Sequence, residues 1–92
     1  MRRGRIPGEL DFEYIQRIRV GLERRTGLLV SIEVLDNGGR QFGRSFCIEG
    51  LIPQQTEPVV RACRGSLAQA AAVFEDQARR FQLTARAGGG AA

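Results

Sequence analysis

Apolar and polar residues alternate along residues 28–35, which is the pattern of a strand with one buried face. The apolar set in this segment is Leu28, Val30, Ile32 and Val34. The residues that follow, Asp36-Asn37-Gly38-Gly39, tolerate positive φ angles and favour a tight turn. The alternation resumes after this turn, so the pattern predicts a β-hairpin.

The length of the loop sets the register of this hairpin. A three-residue loop, Asn37 to Gly39, would give three apolar cross-strand pairs: Val34 with Phe42, Val30 with Phe46, and Leu28 with Ile48. A two-residue loop would shift the pairing by one residue and scatter the apolar face. We therefore expect the three-residue loop. It places Arg44 opposite Ile32, on the apolar side.

The clearest helix lies near the C-terminus. Its apolar residues recur every three to four positions: Leu67, Ala70, Ala71, Phe74, Ala78 and Phe81. Ser66 followed by Gln69 fits a capping box, so the predicted helix covers residues 66–84. Residues 56–60 would open a short preceding helix with Pro58 in its first turn. Cys63 and Arg64 would lie on this helix, before a break near Gly65. Without that break, a heptad seam would form a dimerisation element from Val60, Leu67, Phe74 and Phe81.

Residues 10–25 fit either a strand or a helix. The helix would have an apolar stripe made of Leu10, Tyr14, Ile15, Ile18 and Leu22. Its ends carry agreeing signals: Asp11 as N-cap, Glu13 in the first turn, Arg24 and Arg25 in the last turn, and Gly27 just beyond. Gly21 opposes the helix by about 1 kcal/mol. The end signals favour the helix, and the strand stays as the alternative.

With a strand at residues 10–25, three antiparallel strands would precede the Ala-rich helix. This element order, over residues 17–83, resembles the small DNA-binding domains at the amino terminus of tyrosine-family integrases and in plant ethylene-response factors. The segment from Leu67 to Phe81 is similar in texture to their helix. The resemblance implies that the outer sheet face enters the major groove. It assigns no individual residues, because the chain has no Trp and residues 49–65 form an insertion.

Together the segments predict an α+β fold. A small antiparallel β-hairpin or three-stranded meander would pack against the C-terminal Ala-rich helix, with an N-terminal helix over residues 11–25. The expected core consists of Ile18, Leu22, Val30, Ile32, Val34, Phe46, Ile48, Leu67, Phe74 and Phe81. A hairpin alone is marginal, so a two-stranded sheet would be completed by a second chain.

The chain of 92 residues is long enough for one domain. We expect residues 1–9 to form a disordered basic arm, residues 10–85 a single domain, and residues 86–92 a flexible Gly/Ala tail. No apolar run is long enough to cross a membrane, and no secretory leader is evident. We therefore expect a cytoplasmic protein in which Cys47 and Cys63 are reduced thiols.

The composition argues against catalysis. The chain contains no His, and all 14 basic residues are arginines, against 10 acidic residues, for a net charge of +4. No imidazole is present to activate Cys47 or Cys63 as a nucleophile, and no lysine can form a Schiff base. Two cysteines are too few for a thiolate zinc site within one chain. We expect no enzymatic activity, no metal and no cofactor.

The arginines are the remaining candidates for function. Guanidinium groups suit phosphate and carboxylate recognition. The candidate binding residues fall in three groups: Arg2, Arg3 and Arg5 on the arm, Arg17, Arg24 and Arg25 near the first turn, and Arg40 and Arg44 on the hairpin. We expect a small accessory or regulatory protein that binds DNA or RNA through the arm and the hairpin. The alternative is a protein–protein interaction module that binds an acidic protein surface or acts as a homodimer.

Overall fold

The computed structural model describes residues 3–36 and 43–89. In these residues two helices pack against one face of a three-stranded antiparallel sheet with strand order β1-β2-β3. The elements in chain order are α1 (Asp11–Thr26), β1 (Leu29–Asp36), β2 (Arg44–Leu51), β3 (Val60–Arg64) and α2 (Leu67–Gly89). The predicted α+β class is confirmed, and so is the helical form of residues 11–25.

The C-terminal end of α1 is as predicted, whereas its N-cap lies one residue earlier than predicted. Leu10, rather than Asp11, is the N-cap residue, and its backbone N–H donates to the Glu13 carboxylate at 2.9 Å. At the other end Gly27 adopts the left-handed conformation, with φ 73°, and its N–H donates to the carbonyl of Glu23 at 2.8 Å. Only glycine adopts this conformation without a steric penalty, so Gly27 ends the helix there.

The second helix begins where the capping pattern placed it. The Ser66 hydroxyl accepts a hydrogen bond from the N–H of Gln69 at 3.1 Å. The predicted apolar stripe of α2 faces the sheet: Leu67, Ala70, Ala71, Phe74 and Ala78 are buried, and Phe81 is half-buried. The small alanine side chains let α2 approach the sheet closely, and Phe74 fills the centre of the core.

The core lies between the helices and the sheet. Its fully buried large side chains are Phe74, Ile18, Leu22 and Ile48. Of the other expected core residues, Ile32 and Phe46 are half-buried and Val34 is 39% exposed. Val34 and Phe46 pair with each other near the hairpin end of the sheet, which explains why they are less covered than Ile48 at its centre.

The predicted hairpin register is wrong by four residues. Val34 pairs with Phe46 instead of Phe42, and Val30 pairs with Gly50 instead of Phe46. The described pairing begins at Asp36 and Arg44, and the predicted loop, Asn37 to Gly39, lies outside the described residues. An even shift leaves every side chain on its predicted face, because strand side chains alternate with period two. The faces were therefore correct although the partners were not.

The segment after β2 is a strand where a short helix was expected. In β3, Val60 and Ala62 point into the core and pair with Gly50 and Ile48 of β2. The break near Gly65 is confirmed, but it joins a strand to a helix. The heptad seam does not exist, because Val60 lies in the sheet and Phe74 is buried within the chain. The resemblance in element order fails as well, since a helix and not a strand comes first.

The cysteines form a disulfide, contrary to the expectation of reduced thiols. Cys63 was expected on a helix, but it lies in β3 directly opposite Cys47 of β2. Their Cα atoms are 4.1 Å apart, as in a non-hydrogen-bonded antiparallel pair, in which side chains are closest. Once residues 60–64 form a strand, the two thiols are neighbours, and the bond links β2 to β3.

Candidate nucleic-acid interface

Residues 3–9 precede α1 and contact it through Tyr14. The Tyr14 hydroxyl donates to the backbone carbonyl of Arg3 at 2.6 Å. The guanidinium carbons of Arg5 and Arg17 lie 5.2 Å and 5.4 Å from the centroid of the Tyr14 ring, within cation–π range. Burial raises the pKa of the Tyr14 phenol, although the nearby Arg17 and Arg5 charges oppose this. The phenol therefore stays protonated and continues to donate at neutral pH.

A bidentate ion pair fixes the end of this segment. Arg17 donates from Nε to Glu9 Oε2 at 2.8 Å and from Nη2 to Glu9 Oε1 at 3.0 Å. Mainly because of the hydrogen bond from Arg17, the pKa of Glu9 falls from 4.5 to about 2. Arg17 also donates to the carbonyl of Gly4 at 2.8 Å. One arginine of α1 therefore holds residues 3–9 at two points.

A second carboxylate joins this segment to both helices. Glu75 of α2 accepts hydrogen bonds from Arg3 and from Arg25, and its side chain is only 12% exposed. Burial alone would raise the pKa of Glu75, but the hydrogen bonds from the two guanidinium groups outweigh it, and the pKa lies below its usual value. Charged Glu75 thus links the chain before α1, the end of α1 and the middle of α2.

These contacts divide the candidate arginines of the sequence analysis into three groups. Four of them pair with carboxylates of the same chain: Arg3 and Arg25 with Glu75, Arg5 with Asp11, and Arg17 with Glu9. Arg2 and Arg40 lie outside the described residues. Arg24 and Arg44 have no carboxylate partner within residues 3–36 and 43–89. The basic segment that we expected to bind a partner is thus largely engaged with its own chain in the structure.

Two arginines without a carboxylate partner among the described residues lie at the hairpin end of the sheet. Arg44 is the first residue of β2 and Arg64 the last of β3. Phe46 follows Arg44 by two residues on β2 and has its side chain on the same face of the sheet. Arg64 of β3 lies directly opposite Phe46. The two arginines therefore occupy diagonal positions on neighbouring strands. Diagonal positions in an antiparallel pair are about 7–8 Å apart. Both side chains are exposed, and Arg64, like Arg44, has no carboxylate partner in the described part of the chain.

The chain topology brings further positive potential to the same end. Helix α1 runs back toward the start of β1, and α2 begins directly after β3, so the N-termini of both helices lie beside Arg44 and Arg64. Arg5 and Arg44 both line a small cavity between α1 and the sheet. Two carboxylates at this end, Asp11 and Asp36, reduce the charge, and Asp11 is paired with Arg5. We call Arg44 and Arg64 the hairpin-end arginines.

The sequence pattern did not single out Arg64 or the acidic residues that bind the arm. Arg64 seemed to lie on a helix face, but the period-two alternation of Val60, Arg61 and Ala62 was a signal for a strand. Glu9 and Glu75 carried no such signal, because their partners are distant in sequence or on another element. The position of Arg44 on the apolar side was correctly inferred. Its charge stays hydrated because it lies at the end of the strand.

Neither of the two described helices covers the outer face of the sheet. Exposed leucines lie on it: Leu29 is 53% and Leu35 is 37% exposed, and Leu51 is directly opposite Leu29. The Cys47–Cys63 disulfide lies at the centre of this face, beside an ion pair between Glu49 and Arg61. The face therefore combines apolar side chains with a covalent link between strands.

Neither a metal centre nor a membrane span is found in the part of the chain described here. Among residues 3–36 and 43–89, no three His, Cys, Asp or Glu side chains are grouped to hold a metal ion. No helix in these ranges is both long and apolar enough to cross a bilayer. In comparisons with protein-family models, curated proteins and solved structures, the chain matches none of them.

Proposed function

We propose that this protein is a small non-enzymatic accessory protein that binds nucleic acid through the hairpin end of its sheet. The observation that supports this most directly is the diagonal pair Arg44 and Arg64, exposed and without carboxylate partners among the described residues. Guanidinium groups donate to phosphate oxygens in a fixed fork. Two forks on neighbouring strands can contact the phosphate backbone of DNA or RNA. We therefore assign phosphate binding to this surface and not to the N-terminal arm, because the described arginines of the arm form ion pairs within the chain.

Phosphate contacts by these arginines would position the protein on a duplex or a single strand without reading its sequence. The net charge of +4 favours association with a polyanion. The contribution of each arginine is electrostatic and therefore depends on salt, because each phosphate contact releases counterions.

The test is binding of labelled duplex DNA and labelled single-stranded RNA of mixed sequence, followed by fluorescence anisotropy at low and physiological salt. We expect binding that weakens as salt rises and that drops about tenfold or more when Arg44 and Arg64 are both changed to Gln. The matched control is Arg79→Gln with Arg80→Gln, which removes the same charge from arginines beside Asp76 on α2. Equal losses in both double variants, or no binding by the native protein, would contradict the proposal.

A second candidate is a protein–protein module that acts as a homodimer. The observation that favours it is the exposed strand β1, which forms one edge of the sheet and carries three partly exposed aliphatic side chains: Leu29, Val34 and Leu35. A dimer and a nucleic-acid interface would use different surfaces, because β1 is at the opposite edge of the sheet from β3.

A further inference from the structure

Strand β1 presents an open edge. The sheet order places β1 and β3 at the two edges, and β1 is the longer, with eight residues against five. The N–H of Val30 donates to the Glu23 carboxylate at 3.0 Å, so the backbone groups of Val30 point away from β2. By the alternation of an antiparallel ladder, those of Ile32 and Val34 point to the same edge. No hydrogen bond to these groups of Ile32 or Val34 is made by the residues described.

An open edge is usually protected in a soluble protein by charges, proline or a covering segment, because it can pair with another strand. Here Glu23 covers the edge at Val30 alone. Glu33 is the charged residue in the middle of β1, and its side chain faces outward from the sheet surface, not along the edge. Backbone donors and acceptors are therefore left for a partner strand at Ile32 and Val34.

The sequence of β1 is nearly the same in both directions. Around Ile32 it reads Leu29-Val30-Ser31-Ile32-Glu33-Val34-Leu35. In an antiparallel pair of two such strands centred on Ile32, identical or compatible side chains meet. Leu29 lies opposite the partner's Leu35, Val30 opposite the partner's Val34, and Ser31 opposite the partner's Glu33. Such cross-strand pairs are the units that stabilise a sheet.

We propose that β1 pairs with β1 of a second copy of this chain in this register, which joins the two sheets into one of six strands. The proposal rests on the second candidate function above and names its partner and its contact surface. The side chains of β1 have nearly the same order when the strand is read backwards. This favours a second copy of β1 as the antiparallel partner, because pairing with an unrelated strand does not require such an order.

The competing registers are less favourable. A pair centred on Glu33 would place Glu33 opposite the partner's Glu33 and Val30 opposite the partner's Asp36. Like charges directly opposite destabilise a sheet. In the register centred on Ile32, the hydrogen bonds between the two Ile32 residues form without moving Glu23. So do those from Val34 to the carbonyl of the partner's Val30.

The Ile32-centred register also covers exposed apolar surface. Leu29 is 53%, Val34 39% and Leu35 37% exposed in the single chain. Leu29 and the partner's Leu35 share the outer face, whereas Val34 and the partner's Val30 share the face beneath the helices. Apolar surface would therefore be removed from water on both sides of the new sheet contact.

A pair of double variants tests the register without altering the core, because Leu29 and Leu35 both lie on the outer face of the sheet. Leu29→Lys with Leu35→Lys places like charges opposite each other at both ends of the contact. Leu29→Lys with Leu35→Glu places opposite charges there. The two positions are six residues apart on one strand, so the charges interact across the dimer and hardly within one chain.

The measurement is the molar mass by sedimentation equilibrium, with circular dichroism to show that each variant is folded. We expect the native protein to have twice the chain mass of 10.1 kDa. The Lys/Lys variant should dissociate at least about tenfold more readily, a loss of about 1.4 kcal/mol, and the Lys/Glu variant should stay dimeric. A native protein that is monomeric up to about 1 mM would overturn both this interface and the homodimer candidate. A native dimer with both variants equally dimeric, or both monomeric, would overturn this register but leave the homodimer candidate standing.

Discussion

The ring of Phe74 packs directly on the backbone of Gly50. A Cβ atom at residue 50 would lie 2.7 Å from Cζ of Phe74 and 2.9 Å from Cδ1 of Leu28, closer than side-chain atoms can approach. Gly50 pairs with Val30 on one side and Val60 on the other, so this contact lies on the central strand, toward the end of the sheet away from the hairpin. Because Gly50 has no side chain, α2 packs closely against β2.

Gly50→Ala should therefore destabilise the fold. The added methyl group must displace the Phe74 ring or the backbone, which costs about 1–3 kcal/mol in a packed core. The free energy of unfolding in urea measures this loss. Gly65→Ala is the control, because a Cβ atom there meets nothing within 4 Å, and its stability should stay close to that of the native protein. Equal stability of the two variants would show that α2 does not lie against β2 in this way.

The Cys47–Cys63 disulfide should stabilise the third strand. It closes a loop with a sequence separation of 16 residues, for which loop entropy predicts about 3 kcal/mol. Reduction of the native protein should lower its free energy of unfolding by about this amount, which is measured as a lower urea midpoint. A variant with both cysteines changed to Ala should resemble the reduced protein and should not respond to reductant. An unchanged midpoint on reduction would contradict a bond between β2 and β3.

The same bond tests the cytoplasmic location expected from the sequence. Reducing compartments keep thiols free, whereas oxidising ones maintain structural disulfides. Rapid alkylation in intact cells, followed by mass spectrometry, reports the state of Cys47 and Cys63. Alkylated thiols are the result expected for a cytoplasmic protein. A disulfide found intact in the cells would contradict that location and indicate an oxidising compartment.

The ion pair between Glu9 and Arg17 should make stability depend on pH in acid. The pKa of Glu9 is lowered from 4.5 to about 2 in the folded chain, so the unfolded chain binds the proton more readily. This contribution is complete above pH 4.5 and is lost as the pH falls toward 2. Thermal unfolding from pH 7 to pH 2.5 should therefore show a steeper decline for the native protein than for Glu9→Gln, which lacks the titrating group. Parallel declines would contradict the ion pair.

The phenol of Tyr14 should titrate above its usual pKa of 10.0. It is the one tyrosine of the chain, and there is no tryptophan, so the absorbance of ionised tyrosine at alkaline pH reports this group alone. Burial is the main cause, opposed by the Arg17 and Arg5 charges. A phenol that titrates at or below 10.0 would contradict the burial of Tyr14.

The sequence predicted those features that depend on local patterns. The C-cap of α1, the N-terminal cap of α2, the apolar stripe of α2 and the faces of β1 and β2 all follow from residues close to each other in sequence, whereas the N-cap of α1 is Leu10 and not Asp11. The register of the hairpin was wrong because the Asp-Asn-Gly-Gly sequence favours a tight turn directly after Asp36, whereas the observed pairing sets Phe46 opposite Val34 and Ile48 opposite Ile32. Tertiary packing also made a strand of residues 60–64.

The candidate site was less predictable because it depends on contacts between distant residues. Nothing in the sequence indicates that Arg3 and Arg25 both pair with Glu75, because ion pairs between residues far apart in the chain follow no sequence period. This changes the choice of candidate residues. Four arginines that we expected to bind a partner pair with carboxylates of the same chain, and Arg64, which was not selected, lies at the hairpin end.

The salt dependence of nucleic-acid binding shows whether the hairpin-end arginines contact phosphate groups. The slope of log Kobs against log salt concentration counts the phosphate contacts, with about one unit for each. We predict that Arg44→Gln with Arg64→Gln lowers the magnitude of this slope by about 2 relative to the native protein, and that Arg79→Gln with Arg80→Gln leaves it unchanged. A slope that is the same in all three proteins, or binding that does not vary with salt, would contradict a phosphate-binding role for the hairpin-end arginines.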